Sequence, residues 1–596
     1  MKYYKWYVGI IIGVAVVLAI SSAWNDSIIV DEVPHIGAGY SYLTQGDMRL
    51  NPEHPPLAKD LAAIPLLFLN LKQTVFQSKF WQTDINGQWD FGRMLIFGSG
   101  NDADLIRHVA RLPMILFFVL SAIIVAKWSR RLYGDLGGLI ALFLFSLSPT
   151  ILAHARFVTT DVAALFGALT AIYFFIKYLL TPTKKNLIIA GLIFGLALLT
   201  KFSTFLLVPF LGLVALIYGY IQIQKTIPAK FINAIKYGLI SVLIFAIGTI
   251  VIVWPVYYFH TWHYPIERQH QDTITDLGSY GNRLYANTII WMSDKPVIRA
   301  LGQYGLGLLL DVQRAVGGNT TYFLGQTTQT GWHYYFPIVY FIKEPLAWWG
   351  LVLMAIGFLG WQIKKRKTVK TARSGKWFRD HFEEFVMLVW LALYWASSIQ
   401  STLNIGVRHL LPTYPFAIIL VSGQTTRIID FARSHSKKLY YIFGSVLCIL
   451  LAWYLYENLN IYPYYLTYFN QTVGGPSNAY KYVVDSNIDW GQDLIRFSDY
   501  VKANNIAHIE FDYFGWADPY YYLKDRYIWL NSKKYVNAED FVKRNQSDGW
   551  MAVSATFLEG SEGTSENPNP INYKNWLQAI KPVTVIGHSI FVYHIQ

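Results

Sequence analysis

Apolar segments recur along the 596 residues at 6–23, 108–126, 136–152, 162–180, 187–199, 202–221, 237–258, 337–361, 385–399, 410–428 and 440–459. A helix needs roughly 20 apolar residues to cross the hydrocarbon core of a bilayer. Backbone polar groups in lipid must be satisfied within their own segment, so each run predicts a transmembrane helix. The segments 187–199 and 410–428 carry the weakest signal. Two long polar stretches, 24–107 and 259–336, interrupt the series, and in the tail 460–596 the period changes. There HIEFDYFGW, DGWMAVSATF and SIFVYHI predict strands, and WGQDLIRFSDYVKANN predicts a helix. The expected fold class is a polytopic α-helical membrane protein of about 11 spans over residues 1–459, followed by a C-terminal extracytoplasmic α/β domain over 460–596.

Composition agrees with a chain that lies mostly in lipid: 54% of residues are hydrophobic, 15% are charged, and the mean hydropathy is +0.29. The net charge of +13 is spread in short runs between apolar segments, with no basic face or stripe, which argues against a nucleic-acid partner. With the N-terminus in the cytoplasm, the inner loops 1–5, 127–135, 181–186, 222–236, 362–384 and 425–439 hold 22 Lys and Arg residues, as the positive-inside rule requires. The two long stretches, three short turns and the tail then lie outside. Residues 2–23 resemble a signal peptide, but the apolar run nearly spans and a polytopic chain follows, so an uncleaved first helix is expected. The single cysteine, Cys448, lies in SVLCILL and predicts a small core residue.

The chemistry gathers first in 31–59, DEVPHIGAGYSYLTQGDMRLNPEHPPLAK. Asp31 and Glu32 follow the first span on the outer side, where a carboxylate could serve as general base or the pair could hold a divalent ion. Glu53, His54 and Lys59 lie in NPEHPPLAK, and the PPLAKDLAAIPLLFL that overlaps it predicts an amphipathic or re-entrant segment in which the lysine either snorkels or meets an anion. The three short outer turns each carry a cation: Arg156 in HARFVTTD with Asp161 five residues on, Lys201 in LLTKFS, and Arg408 with His409 in NIGVRHLLP. Basic residues in short outer loops run against the positive-inside trend, and a bound anion would explain them. Lys343 in FIKEPL falls inside a predicted span, either as a functional group or as half of an ion pair with Glu344. GGNTTYFLGQTTQTGWHYYFP combines glycines, hydroxyls and aromatics in a way that suits sugar or an interfacial belt. Asp485, Asp489 and Asp493 in DSNIDWGQDL mark a helix start.

These motifs, from DEVPHIGAGYSY through PEHPPLAK, HARFVTTD, GLALLTKFS, GWHYYFP…IKEPL and NIGVRHLLPTYPF to YFNQTVGGP and DSNIDWGQDL, resemble in order those of the polyprenyl-phosphate-sugar-dependent glycosyltransferases of the GT-C superfamily. The resemblance is to the protein O-mannosyltransferase-like branch, with the lipid A aminoarabinose transferases as relatives. It implies a multi-helix membrane domain whose first outer loop covers a lipid-facing cavity. Asp31 would be the base, supported by Glu32. Arg156, Lys59, Arg408 and His409 would bind the donor phosphate, with Glu53, His54, Asp161, Lys201 and Lys343 in support. The branch works without metal, so no cofactor is expected. The stretch 259–336 is too short for the β-trefoil of the eukaryotic enzymes, which points to a prokaryotic member with its own acceptor.

The function expected is transfer of one sugar, with inversion, from a polyprenyl-phosphate donor to a hydroxyl of a protein, lipid or envelope glycan outside the cytoplasm. The alternative is a transporter or flippase for a lipid phosphate or organic anion.

Overall fold

A computed structural model describes residues 3–223, 226–367, 378, 380–545, 549–564 and 566–596. Most of the basic run 364–379 lies outside the described residues. Among those described, eight helices are long and apolar enough to cross a membrane: Tyr4–Ser22, Ala103–Ser146, Asp161–Leu180, Phe202–Gln222, Ile227–His260, Leu346–Lys365, Phe382–Gln400 and Lys437–Ile461. The chain is a multi-pass membrane protein, and nine of the apolar segments overlap these helices.

The differences have local causes. Segments 108–126 and 136–152 lie on either side of Gly134, whose φ of 76° and ψ of −175° break an otherwise continuous helical run. Segment 187–199 is a helix of only 15 residues, Lys184–Leu198. Segment 410–428 lies largely in the helix Tyr414–His435, which is buried among its neighbours along much of its length and tolerates Ser422, Thr425 and Thr426 inside the bundle. Segment 337–361 is two helices, Tyr335–Lys343 and Leu346–Lys367. Pro345 forces Glu344 into extended backbone (φ −103°, ψ 143°), so Lys343 ends a helix instead of lying within one. Cys448 is exposed on the outer surface of its helix and is not a core residue.

The first polar stretch folds into short helices, Glu32–Gln45, Leu57–Ala63 and Gln88–Arg93 among them. After Leu57–Ala63 a 3-10 turn, Ile64–Phe68, presents Ile64, Leu67 and Phe68 to the exterior, as an interfacial segment would. The Glu32–Gln45 helix is buried on every face from Glu32 to Tyr42, with neighbouring backbone in close approach. A Cβ on Gly39 would stand 2.2 Å from the Lys59 carbonyl oxygen, and one on Gly92 would stand 2.2 Å from that of Val33. The second stretch forms helices Ile266–Asp276, Arg283–Ser293 and Arg299–Gly317, then an antiparallel hairpin of β1 (Thr321–Phe323) and β2 (Gln326–Thr328).

The tail holds a five-stranded sheet of β3 (Ile509–Asp512), β4 (Tyr527–Trp529), β5 (Gly549–Ser554), β6 (Thr584–Ile586) and β7 (Ile590–Ile595), in the order β4-β3-β5-β7-β6. Strand β3 runs parallel to β4 and β5, and β7 runs antiparallel to β5 and β6. The three strands expected are β3, β5 and β7, and the expected helix is Leu494–Ala503, whose Phe497 meets Phe511 of β3 at 4.4 Å. One apolar core runs from Ala15 and Ala19 of the first helix through to Phe511, Ala552 and Val592 of the sheet.

Gly39→Ala should force the Glu32–Gln45 and Leu57–Ala63 helices apart and cost about 1–3 kcal/mol, the usual range for overpacking. Thermal unfolding of the detergent-solubilised protein would register this as a lower midpoint; an unchanged midpoint would mean the approach is slack.

Candidate active site

The segment before Asp31 is fixed by the tail. Ser27 N–H donates to the Gln492 carbonyl at 2.8 Å and Val30 N–H to that of Trp490 at 3.0 Å, so residues 27–30 lie along 490–494. Asp31 stands at the N-cap of the helix that follows. Its Oδ2 accepts from Arg408 Nη1 at 2.7 Å, and the same nitrogen lies 3.3 Å from Asp161 Oδ2. Lys201 Nζ donates to Asp161 Oδ1 at 2.6 Å. Arg408 Nε donates to Ser486 Oγ at 3.1 Å, and the guanidinium lies over the Trp490 ring, 4.3 Å from its centroid.

The result is a row of alternating charge, Asp31–Arg408–Asp161–Lys201. Burial works against the Arg408 charge, but Asp31 and Asp161 more than offset it and raise the guanidinium above its ordinary value. Access along the row is unequal: 22% of the Asp31 side chain is open, against 1% of Asp161 and 9% of Lys201. Asp31 is the member that an incoming molecule meets first.

Three imidazoles stand beside this row. His35 Nδ1 pairs with the Val158 carbonyl at 2.9 Å, and its ring meets His54 edge-on at 5.2 Å. Among the described residues, His54 Nδ1 and His409 Nε2 are buried without a hydrogen-bond partner, as is Nδ1 of a fourth imidazole, His154, which also feels Asp161 and Arg408. Burial, reinforced by the neighbouring cations Lys201 and Arg314, holds the His54 and His409 rings far below their ordinary range and therefore neutral. A buried polar nitrogen left unpaired is costly and uncommon, and those of His54 and His409 beside one charge row mark a place for a ligand. Arg314, exposed on Arg299–Gly317, acts on both imidazoles and on Asp485.

Glu32 has no part in this opening. It is fully buried, and both of its oxygens accept twice: Oε1 from Arg111 Nε (2.8 Å) and Val158 N–H (2.9 Å), Oε2 from Arg111 Nη2 (2.6 Å) and Ile29 N–H (3.0 Å). With four bonds made, every acceptor position of this carboxylate is filled. Asp31 and Glu32 also diverge to different arginines, Arg408 and Arg111.

Arg156 does not join the row either. It is buried, with Nη2 3.0 Å from Asp26 Oδ2 and Nη1 donating to the Pro463 carbonyl at 3.3 Å. Arg496 Nη2 holds the other Asp26 oxygen at 2.6 Å. The Arg-x4-Asp pair is thus divided, Arg156 going to Asp26 and Asp161 to Lys201 and Arg408.

Lys59 is fully buried and fastens the proline loop from within. Its Nζ donates to the Tyr42 hydroxyl, the Asn51 carbonyl and side-chain oxygens, and the His54 carbonyl at 2.7–2.9 Å. Burial brings the amine down to about 7. Glu53 accepts from Asn86 and Gln88. Lys343 bonds the Leu466 and Asn487 carbonyls at 2.7 and 2.8 Å, while Glu344 accepts from Thr150 and Tyr414, so the two do not pair. Both lysines secure backbone and do not face the opening.

Asp26, Arg111 and Arg314 escaped the sequence argument. Arg111 had a detectable signal, a cation at the outer end of a predicted span, which is the anomaly that singled out Arg156. Among the described residues no three His, Cys, Asp or Glu side chains are gathered as a metal site.

Residues 94–254 match the family described as dolichyl-phosphate-mannose-protein mannosyltransferase. No curated protein matches the sequence. Among solved structures, the Saccharomyces cerevisiae protein O-mannosyltransferase Pmt1–Pmt2 complex bound to the sugar donor is 12% identical with a TM-score of 0.53, over 78% of this chain and 90% of that one. The archaeal oligosaccharyltransferase AglB from Archaeoglobus fulgidus, in complex with an inhibitory peptide and a dolichol-phosphate, is 13% identical with a TM-score of 0.47, over 95% and 71%. ArnT from Cupriavidus metallidurans is 13% identical with a TM-score of 0.29, over 100% and 99%.

Glu32→Gln would turn an amide N–H toward Arg111 or a backbone donor and leave the guanidinium underpaired in the interior. A loss of about 3–5 kcal/mol is expected from breaking a buried pair. The check is the unfolding midpoint, and a stability equal to wild type would mean that the Glu32–Arg111 pair does not hold the fold.

Proposed function

We propose that this chain, whose fold is that of the GT-C glycosyltransferases, is a membrane glycosyltransferase that moves one sugar from a polyprenyl-phosphate donor to an acceptor hydroxyl. The observation that carries the reading is the row Asp31–Arg408–Asp161–Lys201, with one accessible carboxylate and the unpartnered imidazole nitrogens of His54 and His409 beside it. The family match and the shared fold support it, and neither favours the transport alternative.

In the proposed reaction Arg408 holds Oδ2 of Asp31, and Oδ1, which accepts no hydrogen bond from the described residues, faces the acceptor. Oδ1 takes the proton of the acceptor hydroxyl as that oxygen bonds to the anomeric carbon. The bond from that carbon to the phosphate oxygen breaks, its electron pair stays on the lipid phosphate, and the configuration inverts. Lys201, Arg408 and the N–H of His54 or His409 bind the departing phosphate, a charge that grows during the step and is therefore stabilised most in the transition state. Glu32, Arg156, Lys59 and Lys343 hold the backbone around the opening. The step as proposed uses no metal. The N-terminus is placed in the cytoplasm, with residues 460–596 forming a domain on the opposite face.

Asp31→Asn should lower turnover by about 10²–10⁴-fold, the range for loss of a general base, while donor binding persists. Transfer from radiolabelled polyprenyl-phosphate monosaccharides decides this, and wild-type turnover would sink the assignment. Lys201→Ala should weaken donor binding by about 1.5–3 kcal/mol, the value of one charge-assisted bond, with a smaller effect on melting than Glu32→Gln. Unchanged donor affinity would move the phosphate elsewhere.

A further inference from the structure

The motif GGNTTYFLGQTTQTGWHYYFP, singled out by its hydroxyls, amides and aromatics, does not reach the charge row, and its purpose is open. The hairpin it forms leans on the tail: the Leu324 N–H donates to the Tyr482 carbonyl at 2.9 Å, and Phe323 bridges Val483. Between hairpin and sheet lies a cavity of about 580 Å³, within the roughly 300–1,000 Å³ typical of small-molecule sites.

Its place in the sheet is significant. From β3 the chain crosses to β4 on one side, and from β4 it returns past β3 to β5 on the other, so the strand order reverses between β3 and β5. Ligands of parallel sheets bind in the crevice outside the carboxyl ends of the strands at such a switch point. The cavity lies there: Asp512 ends β3, and Thr556 and Phe557 follow β5.

The lining is chemically specific. Phe514 and Phe557 meet edge-on at 5.5 Å, and Phe557 is 37% exposed, which makes an aromatic shelf. Around it Asn319, Ser532 and Asn569 supply amide and hydroxyl groups, and Asp512 keeps one oxygen for the Tyr573 hydroxyl at 2.7 Å. Among the described residues, Asp485, Asp512 and Lys533 are the only charged groups lining it. Aromatic faces take the C–H side of a pyranose, and amides and carboxylates take its hydroxyls. A phosphorylated ligand would need more cations than Lys533.

The cavity is also coupled to the reaction site. Asp485, in left-handed backbone with φ 57°, lines it from below, and the next residue, Ser486, is the hydroxyl that Arg408 holds. We propose that this cleft binds the acceptor, that the acceptor is an uncharged oligosaccharide, and that the Asp485–Ser486 wall aligns one of its hydroxyls with Asp31. This rests on the transferase reading above.

The test uses the full chain in detergent with Asn319→Ala and Phe557→Ala, neither of which touches the charge row. Saturation-transfer NMR is run with manno- and gluco-trisaccharides and with a Ser/Thr-rich peptide. At least one trisaccharide should bind, and each variant should weaken it five-fold or more without a change in melting. In the donor assay the variants should raise the KM for that trisaccharide about ten-fold and leave kcat and acceptor-free donor hydrolysis unchanged. Binding that is absent from every trisaccharide, indifferent to both variants, or confined to the peptide overturns the proposal. If wild type consumes no donor, the transferase reading fails, and the NMR arm still decides what the cleft holds.

Discussion

A single buried carboxylate ties the site together. Glu32 accepts from Arg111 and from the main chain at Ile29 and Val158, and so binds the exit of the first helix, the start of the Ala103–Ser146 run and the turn after Ala155 into one unit. Each of its four acceptor positions is filled, which is the condition under which a buried charge is tolerable and geometrically exacting. Because Asp31 precedes it in the chain, fixing Glu32 fixes where the Asp31 carboxylate emerges. Asp31 can be both exposed and precisely placed because its neighbour is buried and fixed.

Around that anchor the charges separate into two kinds. The Asp26–Arg156–Arg496–Asp493 set is ion-paired within itself, Arg156 and Arg496 each holding one Asp26 oxygen and Arg496 also holding Asp493, with both carboxylates buried. The Asp31–Arg408–Asp161–Lys201 row is open at one end and bordered by imidazole nitrogens that lack partners. Both would look like clustered ions in a sequence. Only the second has an accessible carboxylate, Asp31, and access combined with spare hydrogen-bonding capacity separates a site from a strut.

That distinction explains what could be foreseen. The spans, the strands β3, β5 and β7, and the helix 494–503 are visible in periodicity because burial of an apolar face is a local property of the chain. The cations Lys201 and Arg408 are visible because they break the positive-inside trend, and they do meet Asp31 and Asp161. Arg156 breaks the same trend for a different reason, since its partner Asp26 belongs to a distant loop that no spacing rule connects to it. The short strands β4 and β6 and the hairpin β1–β2 were too brief for a period to register. The aspartates of DSNIDWGQDL looked like a helix start. In the fold Asp493 precedes a helix without capping it and instead pairs with Arg496 and accepts from Ser589, while residues 482–494 form the seam that touches the hairpin, Arg408, Lys343 and the segment before Asp31.

The seam also bears on how the molecule comes into being. Asp31 is made early, Asp161 and Arg408 follow, and the segment 490–494 that sets residues 27–30 in line is among the last fifth of the chain to be synthesised. For most of translation the membrane helices can assemble while the charge row lacks the Ser486 and Trp490 that orient Arg408. Arg408 therefore gains its Ser486 and Trp490 contacts, and the segment before Asp31 its final setting, only once residues 482–494 have been made and docked.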